Sequence, residues 1–473
     1  MLSNLYKKIN LIYIVNTIFA ILLISTLFNF IFSFKNFLLI NIILIIHYIS
    51  IIYFIKYENN KYYPIFPLIT IFFFSTYTLS FLIGKKDFFY ESFNSDILSK
   101  SIFILILGLS SFFAGYISVV KFYHIRKKKI FYFTFNNLKK KKIILTLFLI
   151  LTLLLSFNSN CFSLLNYSFF YQLKEPTILF TFGLILSMVL KKDIKSIVSY
   201  ILLTIFIFLI FLIEISTGAT VFAFSLLIFL FSIYYFYKKK ISLFYFFSFI
   251  LMLIFIHSIK YDLRNAVWKN NLNCIEKFNI TKNLISNKIV DNKFLENQTY
   301  TNNKNRLFHS INSLNIISKL TPEIIPFYQG QSYETIYTKF IPRDFWENKP
   351  NDNQGNFWGH RYRVLLPSDN TTSWNFPVLN EFYANFGMLG VLLGMFLLGF
   401  FTKFLILKLY AKNISDLEML SSSVIIFNLF FLENNLSQIL GKIIHQFIFF
   451  NFLFFFIYFF FKFISKYIIK SNL

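Results

Sequence analysis

Residues 11–34 read LIYIVNTIFAILLISTLFNFIFSF, a stretch with no charged side chain. A run of about 20 apolar residues is what an α-helix needs to cross a hydrocarbon core ~30 Å thick. A helix also satisfies its own backbone hydrogen bonds where no water can. Lys7 and Lys8 precede the run, but it is longer than a signal-peptide core and lacks a small-residue cleavage site. It reads as an uncleaved first span.

Comparable runs recur to the other end of the chain, at 37–55, 65–83, 101–120, 143–157, 177–190, 196–215, 219–236, 241–259, 386–402, 419–432 and 443–461. The 473 residues are 56% hydrophobic, Phe alone fills 70 positions, and 14% are charged. Soluble domains carry about 25% charged residues. A secreted domain, a cytosolic enzyme and a disordered scaffold are excluded. The sequence predicts an all-α integral membrane protein of about twelve transmembrane helices.

Forty-six Lys and Arg against 21 Asp and Glu leave a net charge of +25. In a soluble chain that excess would suggest nucleic acid. Here 25 of the cations fall in short segments on one side of the spans, and only Lys35, Lys85, Lys86, Lys100, Lys174 and Lys442 in short segments on the other. This is the cytoplasmic-face bias of membrane proteins, and it predicts both termini inside. The two cysteines, Cys161 and Cys274, make no metal spacing and no disulfide framework.

The remaining fifteen cations lie in one long segment, 260–385, which the topology puts outside. It divides the chain into residues 1–259 with nine spans, the segment itself, and residues 386–473 with three. All four Trp and six of the nine Pro are in it. A loop of that length carries structure and function of its own. Leu307, Ile311, Leu314, Ile317 and Leu320 repeat every three to four residues before Pro322. That spacing predicts an amphipathic helix over 306–320 lying on the membrane surface.

No P-loop, G-x-G-x-x-G, H-E-x-x-H or G-x-S-x-G motif occurs. Inside the spans the ionisable residues are His47, Glu214, His257 and His445, with Glu214 expected to reach the interface. Chemistry therefore points to the outer loop. Arg306, Arg343, Lys349, Arg361 and Arg363 can hold an anionic group, since a guanidinium fork suits phosphate. Tyr333, Trp346, Trp358, Trp374 and Tyr383 can stack on sugars or anchor among headgroups. Glu381, in Asn380-Glu381-Phe382-Tyr383, reads equally as a proton acceptor and as the acid that a helix N-terminus favours. Gly387, Gly390, Gly394 and Gly399 form a small-residue stripe suited to close packing.

The stretch from Asn305 to Gly399 resembles the bacterial O-antigen and exopolysaccharide polymerases, the Wzy-like family. The residues that carry the resemblance are Arg306, Leu320-Thr321-Pro322 and Gly330-Gln331-Ser332-Tyr333. They continue with Ile341-Pro342-Arg343-Asp344-Phe345-Trp346, Lys349-Pro350 and the run from Asn380 to Val391. The resemblance implies a metal-independent, cofactor-free glycosyltransferase in the bacterial inner membrane. Its substrate would be an oligosaccharide on polyprenyl pyrophosphate, and its further partners membrane lipids and a chain-length regulator. Arg306 and Arg343 would meet the pyrophosphate, and Glu381 or His360 would activate the acceptor hydroxyl. One departure stands out. An Arg-bearing outer hairpin is frequent in the family, whereas this chain has Ser216-Thr217-Gly218-Ala219-Thr220 there, which leaves Arg264 as a substitute. An O-antigen ligase and a lipid-linked oligosaccharide flippase are the alternatives.

Overall fold

The computed structural model describes residues 2–28, 34–59, 61–83, 95–119, 138–157, 168–194, 196–217, 220–238, 251–252, 259, 262–267, 272–290, 297–341, 345–349, 354–370, 372–410 and 414–471. All regular structure among them is helical. In chain order the helices are α1 (Leu2–Phe28), α2 (Phe34–Tyr57), α3 (Ile65–Phe73), α4 (Leu79–Ile83), α5 (Ser95–Ser118), α6 (Leu138–Phe157) and α7 (Ser168–Leu190). Then come α8 (Ile197–Ser216), α9 (Thr220–Lys238), α10 (Cys274–Val290), α11 (Asn297–Leu320), α12 (Gln354–Arg361), α13 (Val378–Leu409), α14 (Asp416–Phe427) and α15 (Leu436–Ser471). A π turn, Phe74–Thr78, joins α3 to α4, and a 3₁₀ segment, Gln331–Phe340, precedes α12.

Eight helices among the described residues are long and apolar enough to cross a membrane. They cover the expected spans beginning at 37, 65, 101, 177, 196, 219, 386 and 443. The expected span 241–259 lies outside the described residues except for 251–252 and 259. The expected span 419–432 is a 12-residue helix, α14, followed by the 3₁₀ turn Asn428–Phe430. At 1.5 Å per residue that helix is about 18 Å long, short of a full crossing.

The core is built on α5 and α13, which run side by side with backbones in contact. A Cβ on Gly115 would lie 2.0 Å from the Phe396 carbonyl oxygen, and one on Gly399 2.0 Å from that of Phe112. Gly399, of the glycine stripe, and Gly115 thus bring two helices together where burial of apolar area between spans gains little. Phe66 stacks on Tyr116 at 4.0 Å and fills the flank of this pair.

Three expectations are corrected by the packing. The helix expected over 306–320 is the second half of α11, and it is interior rather than interfacial: Ile311, Leu314 and Ile317 are fully buried, as are Ser313, Asn315 and Ser318 on its other sides. Ser313 and Ser318 are short and neutral, and hydrogen bonding lets them enter the core. Ser313 accepts from the Asn380 amide at 2.8 Å, and Ser318 pairs with Ser101 at 2.9 Å. Glu214, near the end of α8, does not stand open to solvent; it is buried and bridged to Lys174 at 2.7 Å. Lys403, counted with the loop cations, is inside the protein. It pairs with Glu58 at 2.5 Å, both side chains are 3% exposed, and the Tyr116 hydroxyl holds the other Glu58 oxygen at 2.5 Å.

Candidate functional site

The site forms where α13 breaks. Phe386 (φ −140°, ψ 15°) and Gly387 (φ 64°, ψ −145°) leave helical geometry, and the limb before them folds back beside the limb after them. A Cβ on Gly390 would sit 2.2 Å from the Phe382 carbonyl oxygen, and one on Gly394 2.6 Å from the Phe382 ring. In a straight helix residues eight apart lie about 12 Å apart along the axis. The short limb, 378–385, therefore lies flat against the long one. Leu379 and Val391 both face Gly108, in the middle of α5.

A break frees carbonyls, and buried carbonyls need partners. Those of Ala384 and Asn385 accept from the backbone amides of Tyr328 at 3.0 Å and Gln329 at 3.2 Å. Gly330 then turns at φ +85°, a conformation that residues with a Cβ rarely adopt, and its amide donates to the Asn385 side chain at 2.8 Å. The segment 326–332 thus closes the break.

Glu381 lies in the first turn of the short limb, fully buried. Ser332 donates to its Oε1 at 2.8 Å, and the amide of Leu436, the first residue of α15, donates to its Oε2 at 2.7 Å. The Asn385 amide donates to Ser332 Oγ at 3.0 Å, and Gln354 donates to the Ser332 carbonyl at 2.8 Å. Asn435 donates to Gln354, and its own Oδ1 accepts from Gln438 N at 3.1 Å, capping α15. The carboxyl group thus sits at a helix N-terminus, where the helix dipole and free amides favour its ionised form and burial opposes it. It ties α13, α15 and the 3₁₀ segment together. Tyr333 packs its ring near Phe382 and Phe386, at 6.4 and 6.5 Å. Burial raises its hydroxyl pKa, the Glu381 charge adds to that, and Asn385 opposes it.

A second group of polar atoms meets at Thr321, on the exit from α11. The Tyr362 hydroxyl lies 2.9 Å from Thr321 Oγ1, and the Tyr383 hydroxyl donates to the Thr321 carbonyl at 3.4 Å. Burial raises the Tyr362 pKa, opposed by its bond to Thr321 and by the Arg361 charge. Arg361 donates to the Pro326 carbonyl at 2.7 Å, with its guanidinium 4.8 Å from the Tyr328 ring centre. Lys100, from α5, donates to the Ser318 carbonyl at 2.7 Å and stands 5.9 Å from the Tyr383 ring centre. Two cations and three hydroxyls thus gather around one corner, a donor set suited to phosphoryl oxygens.

Of the residues singled out from the sequence, Glu381, Tyr333, Arg361 and Tyr383 belong to this region. His360 is half-buried and bonds the Asp369 carbonyl at 2.9 Å, holding the loop after α12. Arg363 is exposed with a positive φ of 55°. Lys349 donates to the Ile341 carbonyl at 2.8 Å and follows Trp346 in a turn. Arg264 lies between Leu263 and Val267, which pack on Ile215 and Ala223 at the facing ends of α8 and α9. Arg343 and the Arg306 side chain lie outside the described residues, as does Cys161. Sequence reasoning missed Lys100, Tyr362, Ser332 and the Gln354–Asn435 pair. Lys100 had counted only as an outer-side lysine and Ser332 only as part of the run Gly330-Gln331-Ser332-Tyr333, and nothing local marks the other three. Among the described residues no three His, Cys, Asp or Glu side chains group as a metal site.

Residues 68–467 match the model of a domain of unknown function, DUF8712, and the chain belongs to that family. No curated protein and no solved structure matches it.

Proposed function

We propose that the chain is a membrane glycosyltransferase that joins lipid-linked oligosaccharide repeat units. A growing glycan on polyprenyl pyrophosphate is passed to a sugar hydroxyl of an incoming lipid-linked unit, at the outer face of the bacterial inner membrane. In this reading the chain has about twelve spans, 260–385 is extracytoplasmic, and both termini are cytoplasmic. One observation carries it. The separate pieces that bear the resemblance to the Wzy-like polymerases are partners in space: Thr321 with Tyr383, Gly330 with Asn385, and Ser332 with both Glu381 and Asn385.

The bond that breaks joins a sugar carbon to a diphosphate, so negative charge grows on the leaving oxygen. Arg361 and Lys100 are the cations next to Thr321 that would meet this charge, and preorganised donors of that kind lower such barriers. Glu381 has both oxygens engaged and no exposure, so we give it a positioning role: it fixes the short limb, and hence Tyr383, against the cap. Arg361→Ala and Lys100→Ala should each abolish long glycan chains on a gel while single capped units and membrane levels of the protein persist. Normal ladders from both variants would refute the proposal.

A second reading is favoured by the broken helix and the buried Glu58–Lys403 pair, both of which recur in transporters. A flippase for the same lipid-linked unit would lose all capped product on deletion, single units included, as would a ligase.

A further inference from the structure

With α11 in the interior, the interfacial element of the outer segment has to be sought elsewhere. The 3₁₀ segment Gln331–Phe340 lies along α15. The Lys339 stem rests in the notch at Gly441, where a Cβ would be 3.0 Å away, and His445 donates to the Lys339 carbonyl. Both residues are inside Leu436–Phe463, a stretch apolar enough to span a membrane. One turn further along α15, Ile448 is 54% exposed, and Phe452, Phe455 and Phe459 continue the same outward strip. An irregular segment therefore sits beside the first turns of a membrane helix, directly above its lipid-facing side.

Two features fit a hydrocarbon surrounding. The carbonyls near the end of the segment are taken by side chains, that of Lys339 by His445 and that of Ile341 by Lys349 at 2.8 Å. Water would serve these groups at an aqueous surface, whereas in lipid each must find a protein donor. Gln331 and Glu334 are exposed at the start of the segment, but beyond them the outward side chains are apolar: Tyr337 is 61% exposed, Ile341 44% and Phe345 81%. Behind this side stand three lysines. Lys339 and Lys349 are close enough to His445 for their charges to act on it, and Lys442 is half-exposed beside Glu175 at 3.0 Å. Aromatic rings at headgroup depth with lysines reaching outward are the pattern of a membrane interface.

We propose that residues 335–341, together with Phe345, form an interfacial element, with Tyr337, Ile341 and Phe345 among acyl chains and Lys349 and Lys442 on the phosphate of an anionic phospholipid. The partner is the leaflet that surrounds the first turns of α15. This inference does not depend on the sugar chemistry proposed above.

The test replaces Phe345, and separately Tyr337, by photoreactive benzoyl-phenylalanine in the full-length protein, irradiates native membranes and weighs the adducts. Phe452→benzoyl-phenylalanine serves as the lipid-facing reference. Phospholipid adducts at 345 and 337 are expected. Adducts at 452 alone, or capture of another protein at 345, would overturn the immersion. For the headgroup, the protein is released from nanodiscs holding equal phosphatidylglycerol and phosphatidylcholine and the retained lipids are counted by native mass spectrometry. Wild type should keep phosphatidylglycerol several-fold over phosphatidylcholine, and Lys349→Gln with Lys442→Gln should lose that preference. Lys349→Arg with Lys442→Arg should keep it. Equal retention of the two lipids by wild type, or an unchanged preference in the Gln variant, would overturn the headgroup assignment.

Discussion

Lys403→Met, with Glu58 left in place, tests the energetics most directly. The two groups meet at 2.5 Å inside the bundle, the Tyr116 hydroxyl occupies the other carboxylate oxygen, and the rings of Tyr62 and Tyr116 lie 4.6 and 4.9 Å from the ammonium. Removing the lysine leaves a carboxylate with one hydroxyl for company, away from water. Breaking such a buried pair typically costs about 3–5 kcal/mol. The full pair gains much less, because desolvating both ions offsets most of their attraction. Glu58→Leu combined with Lys403→Met should therefore recover most of the loss, to within about 1 kcal/mol of wild type. The assay is SDS-induced unfolding of the purified protein, followed by circular dichroism, for wild type, both single variants and the double variant. A double variant no more stable than Lys403→Met would refute the account. So would a single variant that unfolds like wild type, since the pair would then not be a desolvated one.

Three further predictions bear on the site and its supports. Ser332→Ala removes the donor on Glu381 Oε1 and the acceptor of the Asn385 amide. It should cost about 1.5–3 kcal/mol in the same unfolding assay, with Ser332→Thr closer to wild type. Gly390→Ala puts a methyl group 2.2 Å from the Phe382 carbonyl oxygen and must push the two limbs of α13 apart. A cysteine pair placed across the limbs at 382 and 394 should cross-link in wild type and lose that cross-link in the Gly390→Ala background. Asp416 is partly buried, which alone would raise its pKa, but Lys141 and Lys191 override this and hold it below the usual carboxylate range. Its contribution is therefore present in full above the unfolded carboxylate value of about 3.9 and disappears as pH falls through the lower folded value. Melting temperature measured from pH 6 down to pH 2 should drop less steeply in Asp416→Asn than in wild type.

Legibility differed sharply between the two levels of structure. Long apolar runs located the spans at 37–55, 196–215 and 443–461, because hydrocarbon accepts long apolar helices and little else. The same rule failed for 419–432, where an apolar run is a short helix walled in by α7, α13 and α15; composition cannot distinguish burial in protein from burial in lipid. Periodicity likewise found α11 but put it on the wrong surface, since hydrogen-bonded serines can turn a seemingly polar face inward. At the site, Glu381 and Tyr383 stood out as polar residues beside a span. Lys100 lies more than 200 positions from its partner Ser318 and carried no local sign of the contact.

Taken alone, then, the order of residues decided that this chain lives in a membrane, that most of its charge sits in short segments, and that glycines line α13. Those are properties of single segments, governed by the transfer of side chains and backbone into lipid. The fold-back at Phe386–Gly387, the closure of Glu381 by Ser332 and Leu436, and the meeting of Tyr362 and Tyr383 with Thr321 were decided by tertiary contact. Each joins atoms from distant segments, and a buried donor or acceptor is satisfied only by whichever partner the packing brings within about 3 Å.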